Sequence, residues 1–403
     1  MVKNIVSQII AGQNITLGNE LLLGTINKIQ NSSSTLLKNI EIINNDLSLA
    51  LPYYDDGLKN INSADVNILP TDYQDKFLKF QKMYATFVSD LNNINNSADA
   101  IKIALGGQGV RRYLLVFQNE NEIRPTGGFI GSYALLEIKN GQINKLEIPA
   151  GGSYDIQSLL DKNVEPPAPL LMIANRWHFR DANWFADFPT SAEKLMWFYR
   201  HSRHITTDGV IAVNASVLER LLTVTGPIDD KNRGVKLSAA NAVETIQKIV
   251  EEGPEKTNAE PKKIIGELAV QFINDFQKID AKKTLDLLSN FQDALVKKEI
   301  QLHFVDNLPE QTVKKYGWNG GLADLKDNQD YLLVINANIN GRKSDAKMAQ
   351  KISHQSVVQP DGSIINTVTI QRTHSGQAGE EFYGYPNTNY IRLYVPKGSQ
   401  LLK

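Results

Sequence analysis

Two stretches near the start of the chain place apolar side chains at alternating four- and three-residue intervals. The first runs Leu22, Ile26, Ile29, Leu36, Ile40, Ile43 and Leu47, with Ser33 in its one gap. The second runs Phe77, Phe80, Tyr84, Phe87, Leu91, Ile94, Ala98, Ile101 and Leu105. Heptad spacing of this kind predicts helices packed along one narrow seam. Pro52, Gly57 and Pro70 between them mark a turn-rich connector, so residues 1–106 are expected to form an antiparallel helical hairpin serving as a stalk or spacer. The alternative is a helix pair that binds a partner, self-association included.

After Gly106, Gly107 and Gly109 the period changes. Short apolar runs bounded by turn residues predict interior strands at 113–118 and 133–138. Asn140-Gly141 is a hairpin signal leading to a strand at 144–148. A long irregular stretch, 149–189, precedes a helix from near Ser191 to His204, a strand at 209–213 and a helix opened by Ser216 and Glu219 at capping-box spacing. Strand, helix, strand, helix in this order predicts a three-layer α/β sandwich. Three helices are expected within 237–298, the second burying Ile265, Leu268, Phe272 and Phe276 and the third Leu285, Leu288 and Leu295. Beyond Trp318-Asn319-Gly320-Gly321 the pattern is strands (331–337, 354–358, 364–372 and 390–395) with a turn at Pro360-Asp361-Gly362. The fold class is therefore mixed α/β. The expected domains are 1–106, an α/β domain at 110–328 and a β-rich region at 329–403 that is incomplete in the chain given.

Composition narrows the function classes. A net charge of −1 argues against a general nucleic-acid binder. The absence of cysteine excludes disulfides, thiolate catalysis and Cys-ligated zinc. No window is long and apolar enough to span a bilayer, so membrane attachment would need an anchor outside this sequence.

Candidate chemistry concentrates in the loop between the first two strands, with Gln118, Asn119, Asn121, Arg124, Thr126, Gly127, Gly128 and Gly131. Backbone N–H groups of a Gly-Gly turn can converge on an oxyanion while an arginine supplies a charged fork; a tight turn with a paired arginine is the plainer reading. A second cluster, Arg176, Trp177, His178, Arg180, Asp181, Asn183, Trp184 and Asp187, sits in a loop too long to be merely a connection. Its Trp177 and Trp184 can stack on a sugar or lipid head group, or close a lid on the sheet. His201 and His204 have helical i, i+3 spacing, but no third metal ligand is suggested. Glu251, Glu252 and Glu255 form an acidic patch that reads as a solvated helix end. Nucleotide loops and nucleophile elbows are absent.

The segments YLLVFQNENEIRPTGGFIGSY, RDANWFADFPTSA, DGVIAVN and LLTVTGPI resemble the bacterial family known as domain of unknown function 4012, as do NANINGRKSD and NTNYIRLYVPKGS downstream. The order of strands, Arg-containing loop, NG turn, Ile-Pro, long loop, helix and DGVIAVN strand is also similar to LytR–CpsA–Psr proteins. Those are membrane-anchored enzymes that transfer polyprenyl-pyrophosphate-linked glycopolymer to the cell wall. That resemblance implies an extracytoplasmic envelope protein with Arg124, Arg180 and Asp181 as catalytic residues. It further implies Mg2+ on Asp181, ligand contacts from Thr126, Gly127, Gly128, Trp177, Asn183 and Trp184, and a polyprenyl-pyrophosphate glycan or cell-wall polymer as partner. Thr126 stands where that family has an aspartate and Ala150 where it has an arginine; the segment 250–263, matching an arginine-rich stretch, has none. A non-catalytic or ligand-binding domain is the first reading; a glycopolymer phosphotransferase and a surface adhesion or scaffold protein are the alternatives.

Overall fold

The structure, a computed structural model, describes residues 2–30, 36–276, 281–326 and 329–402. It has two compact units: Met1–Arg111 with Glu137–Asn144 and Asp306–Thr312, and Arg112–Leu136 with Lys145–Val305 and Val313–Lys403.

The first unit holds three long helices, α1 (Val2–Gln30), α2 (Leu36–Asn62) and α3 (Thr71–Ala104). The single helix expected across 22–47 is thus two helices; its Ser33 gap lies outside the described residues. Thr25 Oγ1 donates to Asp46 Oδ2 at 2.8 Å and Tyr54 OH to Asn19 Oδ1 at 2.8 Å, so α1 and α2 run antiparallel. In one continuous helix Thr25 and Asp46 would stand about 30 Å apart. Pro52 and Gly57, expected in a turn, lie inside α2. Leu47, Ala50, Leu51, Tyr54 and Ile61 recur at helical spacing there and are all buried, which outweighs the lost proline hydrogen bond. Burial would push the Asp46 carboxyl up, but hydrogen bonds from Lys28 and Thr25 and the lysine charge hold it below the usual range. Packing of α3 uses Tyr84, whose hydroxyl donates to the Tyr54 carbonyl at 3.1 Å, and Val88.

Past these three helices the chain is mixed α/β, as its alternating strands and helices predicted. In chain order come β1 (Arg111–Asn119), β2 (Phe129–Lys139), β3 (Gln142–Glu147), the short α4 (Tyr154–Gln157), α5 (Phe188–Arg203), β4 (Gly209–Asn214) and α6 (Ser216–Thr225). Then come β5 (Ile228–Asp230), β6 (Val235–Leu237), α7 (Ala242–Glu252), α8 (Lys263–Phe276), α9 (Ala281–Val296), β7 (Ile300–Phe304) and α10 (Asn307–Lys315). The chain closes with β8 (Leu333–Asn338), β9 (Met348–Val358), β10 (Ile364–His374) and β11 (Asn389–Tyr394). The main sheet has the order β3-β2-β1-β4-β7, with β1 and β4 parallel and β7 antiparallel to β4. Asn140 and Gly141 both have positive φ, the turn that hairpin pair favours.

Alternation along β4 builds the layers. Val210 and Ala212 join a core with Phe188, Leu195 and Phe198 of α5, while Ile211 and Val213 pack with Val217 of α6 and Ala294 of α9. Helices therefore cover both faces. Asp187 caps α5 by accepting from Thr190 N at 3.0 Å, so this helix begins three residues before Ser191. The expected capping box at Ser216 does not form: Ser216 N and Oγ both donate to Glu120. In α9 the buried side chains include Leu287 and Ala294 while Leu288 is exposed, a phase error of one residue; Phe276 and Leu285 side chains lie outside the described residues. The short helices α4 and α10 had no clear sequence signal.

Candidate functional site

The loop joining β1 to β2 is shaped by turn chemistry. Pro125 presets φ, and Gly127 N donates to the Arg124 carbonyl at 2.9 Å, closing a turn. Gly127 has φ of 142°, and a Cβ on Gly128 would collide with the Asn119 backbone. Both glycines are thus demanded by the fold. The Gly127 N–H is spent on the turn and does not point at a ligand.

Behind the turn lies a buried polar network. Thr126 Oγ1 donates to Gln118 Oε1 at 2.6 Å, and Asn183 Nδ2 lies 2.9 Å from the Gly128 carbonyl and 3.0 Å from both Thr126 Oγ1 and Gln118 Oε1. Gln118 Nε2 reaches Asn214 Oδ1 at 2.9 Å, and Gln301 Nε2 donates to the Thr126 carbonyl. These side chains tie the ends of β1, β4 and β7 together. Bonded in this way, save for Asn183 Oδ1, which has no partner among the described residues, a buried amide cluster specifies one arrangement of strands.

Arg124 lies alongside, only 3 % exposed. Its Nη1 donates to the carbonyls of Asn338 at 2.6 Å and Ile123 at 3.2 Å. Its Nη2 reaches Glu122 Oε1 at 3.2 Å and Asp181 Oδ1 at 3.3 Å. The guanidinium carbon sits 5.4 Å from the centroid of the Phe129 ring, with Lys343 Nζ over the same ring at 5.2 Å. Lys343 Nζ also pairs with Glu122 Oε2 at 2.7 Å. Burial pushes Glu122 up, but the charges of Lys343 and Arg124 prevail and hold its carboxyl below the usual range. Asp345 completes the clasp by accepting from Ile123 N at 2.9 Å and Asn338 Nδ2 at 2.6 Å.

The second predicted cluster meets the first through Asp181. Its Oδ1 faces Arg124 and its Oδ2 faces Arg180 Nε at 3.5 Å. With both oxygens on guanidinium groups, Asp181 does not fit a magnesium ligand. Among the described residues no three histidine or carboxylate side chains converge on a metal position. Arg180 is spent on Gln157 Oε1, 2.6 Å away, and on the Tyr154 ring. Trp177 is buried against Phe198, its Nε1 donating to the Asp181 carbonyl at 3.0 Å. Trp184 is stacked on Tyr390 and covered by Arg392, which donates to its carbonyl at 2.7 Å. Both rings therefore close the core, the arrangement expected of a lid. Burial and the Arg180 charge hold the His178 imidazole below its ordinary value. His201 lies 3.1 Å from Asp161 Oδ1, and His204 ends α5 in the left-handed conformation.

Residues 108–250 match the family described as "Protein of unknown function (DUF4012)". No curated protein matches the chain. The DUF4012 segment covers less than half of the sequence. It contains Glu122, Arg124, Phe129, Thr126, Asp181 and Asn183, whereas Asn338, Lys343 and Asp345 come from far downstream. Sequence reasoning passed over Lys343 and Asp345, since nothing local marks residues more than two hundred positions away as partners of Glu122 and Ile123. Lys262 was also missed. Its stem lies against Gly152 and its ammonium near Gly131; burial and the Lys343 charge bring it down to about 8.

Proposed function

We propose that this chain is a non-catalytic domain of the bacterial cell envelope, in which the Arg124 loop is a structural clasp. The observation that carries this reading is the buried fork of Arg124: Nη1 and Nη2 are held by two carboxylates and two backbone carbonyls, and Nε alone has no partner among the described residues. An arginine that must bind a pyrophosphate keeps part of its fork open to the ligand. Here the fork fastens the β1–β2 loop to the Asp181 loop and to the end of β8. The envelope assignment is supported by the sequence likeness to LytR–CpsA–Psr proteins.

A second reading, a ligand-binding or transferase domain for polyprenyl-pyrophosphate-linked glycan, is favoured by Lys262. This half-buried ammonium has only a weak hold on its proton and stands at the segment matching an arginine-rich stretch of that family. Calorimetric titration with a short-chain polyprenyl pyrophosphate, with and without magnesium, separates the two. The clasp reading expects no binding by the folded protein. Magnesium-dependent binding would overturn it, and loss of that binding in Lys262→Met would turn the assignment to the second reading.

A further inference from the structure

The helix α3 carries two apolar rows. One, Phe77, Tyr84, Leu91 and Ala98, faces α2 and is wholly or partly buried. The other, Tyr73, Phe80, Phe87, Ile94 and Ile101, repeats at an unbroken interval of seven and is exposed along its whole length. Tyr73 is 59 % exposed and Ile94 52 %, and beside the row Met83 is 64 % exposed. A strict seven-residue repeat describes a slowly winding strip of the kind that a second helix covers when it crosses at a small angle.

The geometry points to a second copy of this chain as the occupant, with two α3 helices pairing antiparallel about Phe87. Half-exposed side chains of this size present on the order of 100 Å² each. The six on α3 therefore offer about 600 Å² per copy, at the upper end of the largest apolar patch an ordinary monomer leaves bare. Two copies with their polar flanks reach the range of about 1,200–2,000 Å² that stable pairs bury. The row is symmetric about its centre: turned end for end, Tyr73 meets Ile101, Phe80 meets Ile94 and Phe87 meets itself. Charge selects the same direction. Before Phe87 the helix carries Lys76, Lys79 and Lys82 with Asp72 and Asp75, a net +1, and after it Asp90 and Asp99 with Lys102, a net −1. A parallel pair would set halves of like net charge side by side, whereas the antiparallel pair brings the net-positive half of one helix alongside the net-negative half of the other. This inference is independent of the clasp in the second unit.

The test is sedimentation equilibrium of the intact chain over a roughly hundredfold range of concentration, beside the double variant Met83→Glu/Ile94→Glu. Both positions are exposed, and unchanged far-ultraviolet circular dichroism confirms the fold. The expected result is a wild-type dimer whose dissociation constant rises at least about tenfold in the variant, since two charges enter the apolar seam. A wild-type monomer throughout, or a dimer indifferent to the double variant, overturns the proposal. Orientation is read by engineered cysteines, for which the native chain has no background. Tyr73→Cys is expected to cross-link with Ile101→Cys in a mixed sample and not with itself; self-linking of Tyr73→Cys overturns the antiparallel pairing.

Discussion

The Arg124 loop and the outer row of α3 reverse what their residue types suggest. The loop is charged and glycine-rich, the composition of an accessible site, yet its arginine is buried and every turn glycine is a packing requirement. The outer row is aromatic and aliphatic, the composition of a core, yet it is exposed. Residue type sets how much free energy is at stake in burial, and the surrounding fold sets whether that burial occurs. A buried charge is tolerable where opposite charges and carbonyls arrive to meet it, as Glu122, Asp181 and Asn338 do at Arg124. An apolar strip stays largely exposed where the unit reaches it at one ring, as Tyr54 of α2 does at Phe87.

The sharpest way to break this comparison is Arg124→Ala. It leaves Glu122 and Asp181 facing one another without the guanidinium, and a loss of about 3–5 kcal/mol is expected from the urea midpoint. A loss below about 1 kcal/mol would mean the arginine is not a clasp. Gly128→Ala is next: its Cβ meets the Asn119 backbone, and about 2 kcal/mol or more should go in the same measurement.

Lys262→Met sharpens the charge side of the contrast. The Lys262 value of about 8 lies below the ordinary 10.5, so its burial costs stability at neutral pH. Wild-type stability attributable to this group rises between those two values and is lowest below the first. The variant should therefore be more stable at pH 7, by on the order of 1 kcal/mol, with the gain fading above pH 10.5. Denaturation at both pH values checks it.

Acid should act in the opposite sense on Glu122. Its carboxyl is held low in the fold, so its contribution is fully present above the ordinary carboxylate value and is lost as pH falls through the lowered one. Glu122→Gln should flatten part of the acid-induced fall in melting temperature and lower stability at neutral pH. The smallest effect belongs to the exposed row: Ile94→Glu should change the stability of the isolated monomer by less than about 0.5 kcal/mol. A loss as large as that of Arg124→Ala would show that the row is packed after all.

How much was legible follows from the range of each signal. Strand periods at 113–118 and 209–213, the Asn140-Gly141 hairpin and the Gly226 stop of α6 are local, and each appears near its expected place. Pro52 misled because three residues of local sequence say turn, whereas burial of five side chains over α2 says helix. The loop singled out at Arg124 does gather Thr126, Asn183 and Asp181, so the sequence located a focus of polar interaction. It did not reveal Lys343 or Asp345, whose partners are brought near only by the folding of the C-terminal segment.

The sequence by itself determined the class of the protein, the strands and helices of the sheet region, the seven-residue rhythm of α3 and the concentration of polar groups around Arg124. These rest on near-neighbour spacing, which a single chain displays in one dimension. Tertiary structure alone decided that the first heptad run is two helices, which of the two apolar rows on α3 is covered, and whether Arg124 and Asp181 face solvent or each other. Accessibility and pairing depend on what distant segments place beside a residue, and no local pattern carries that.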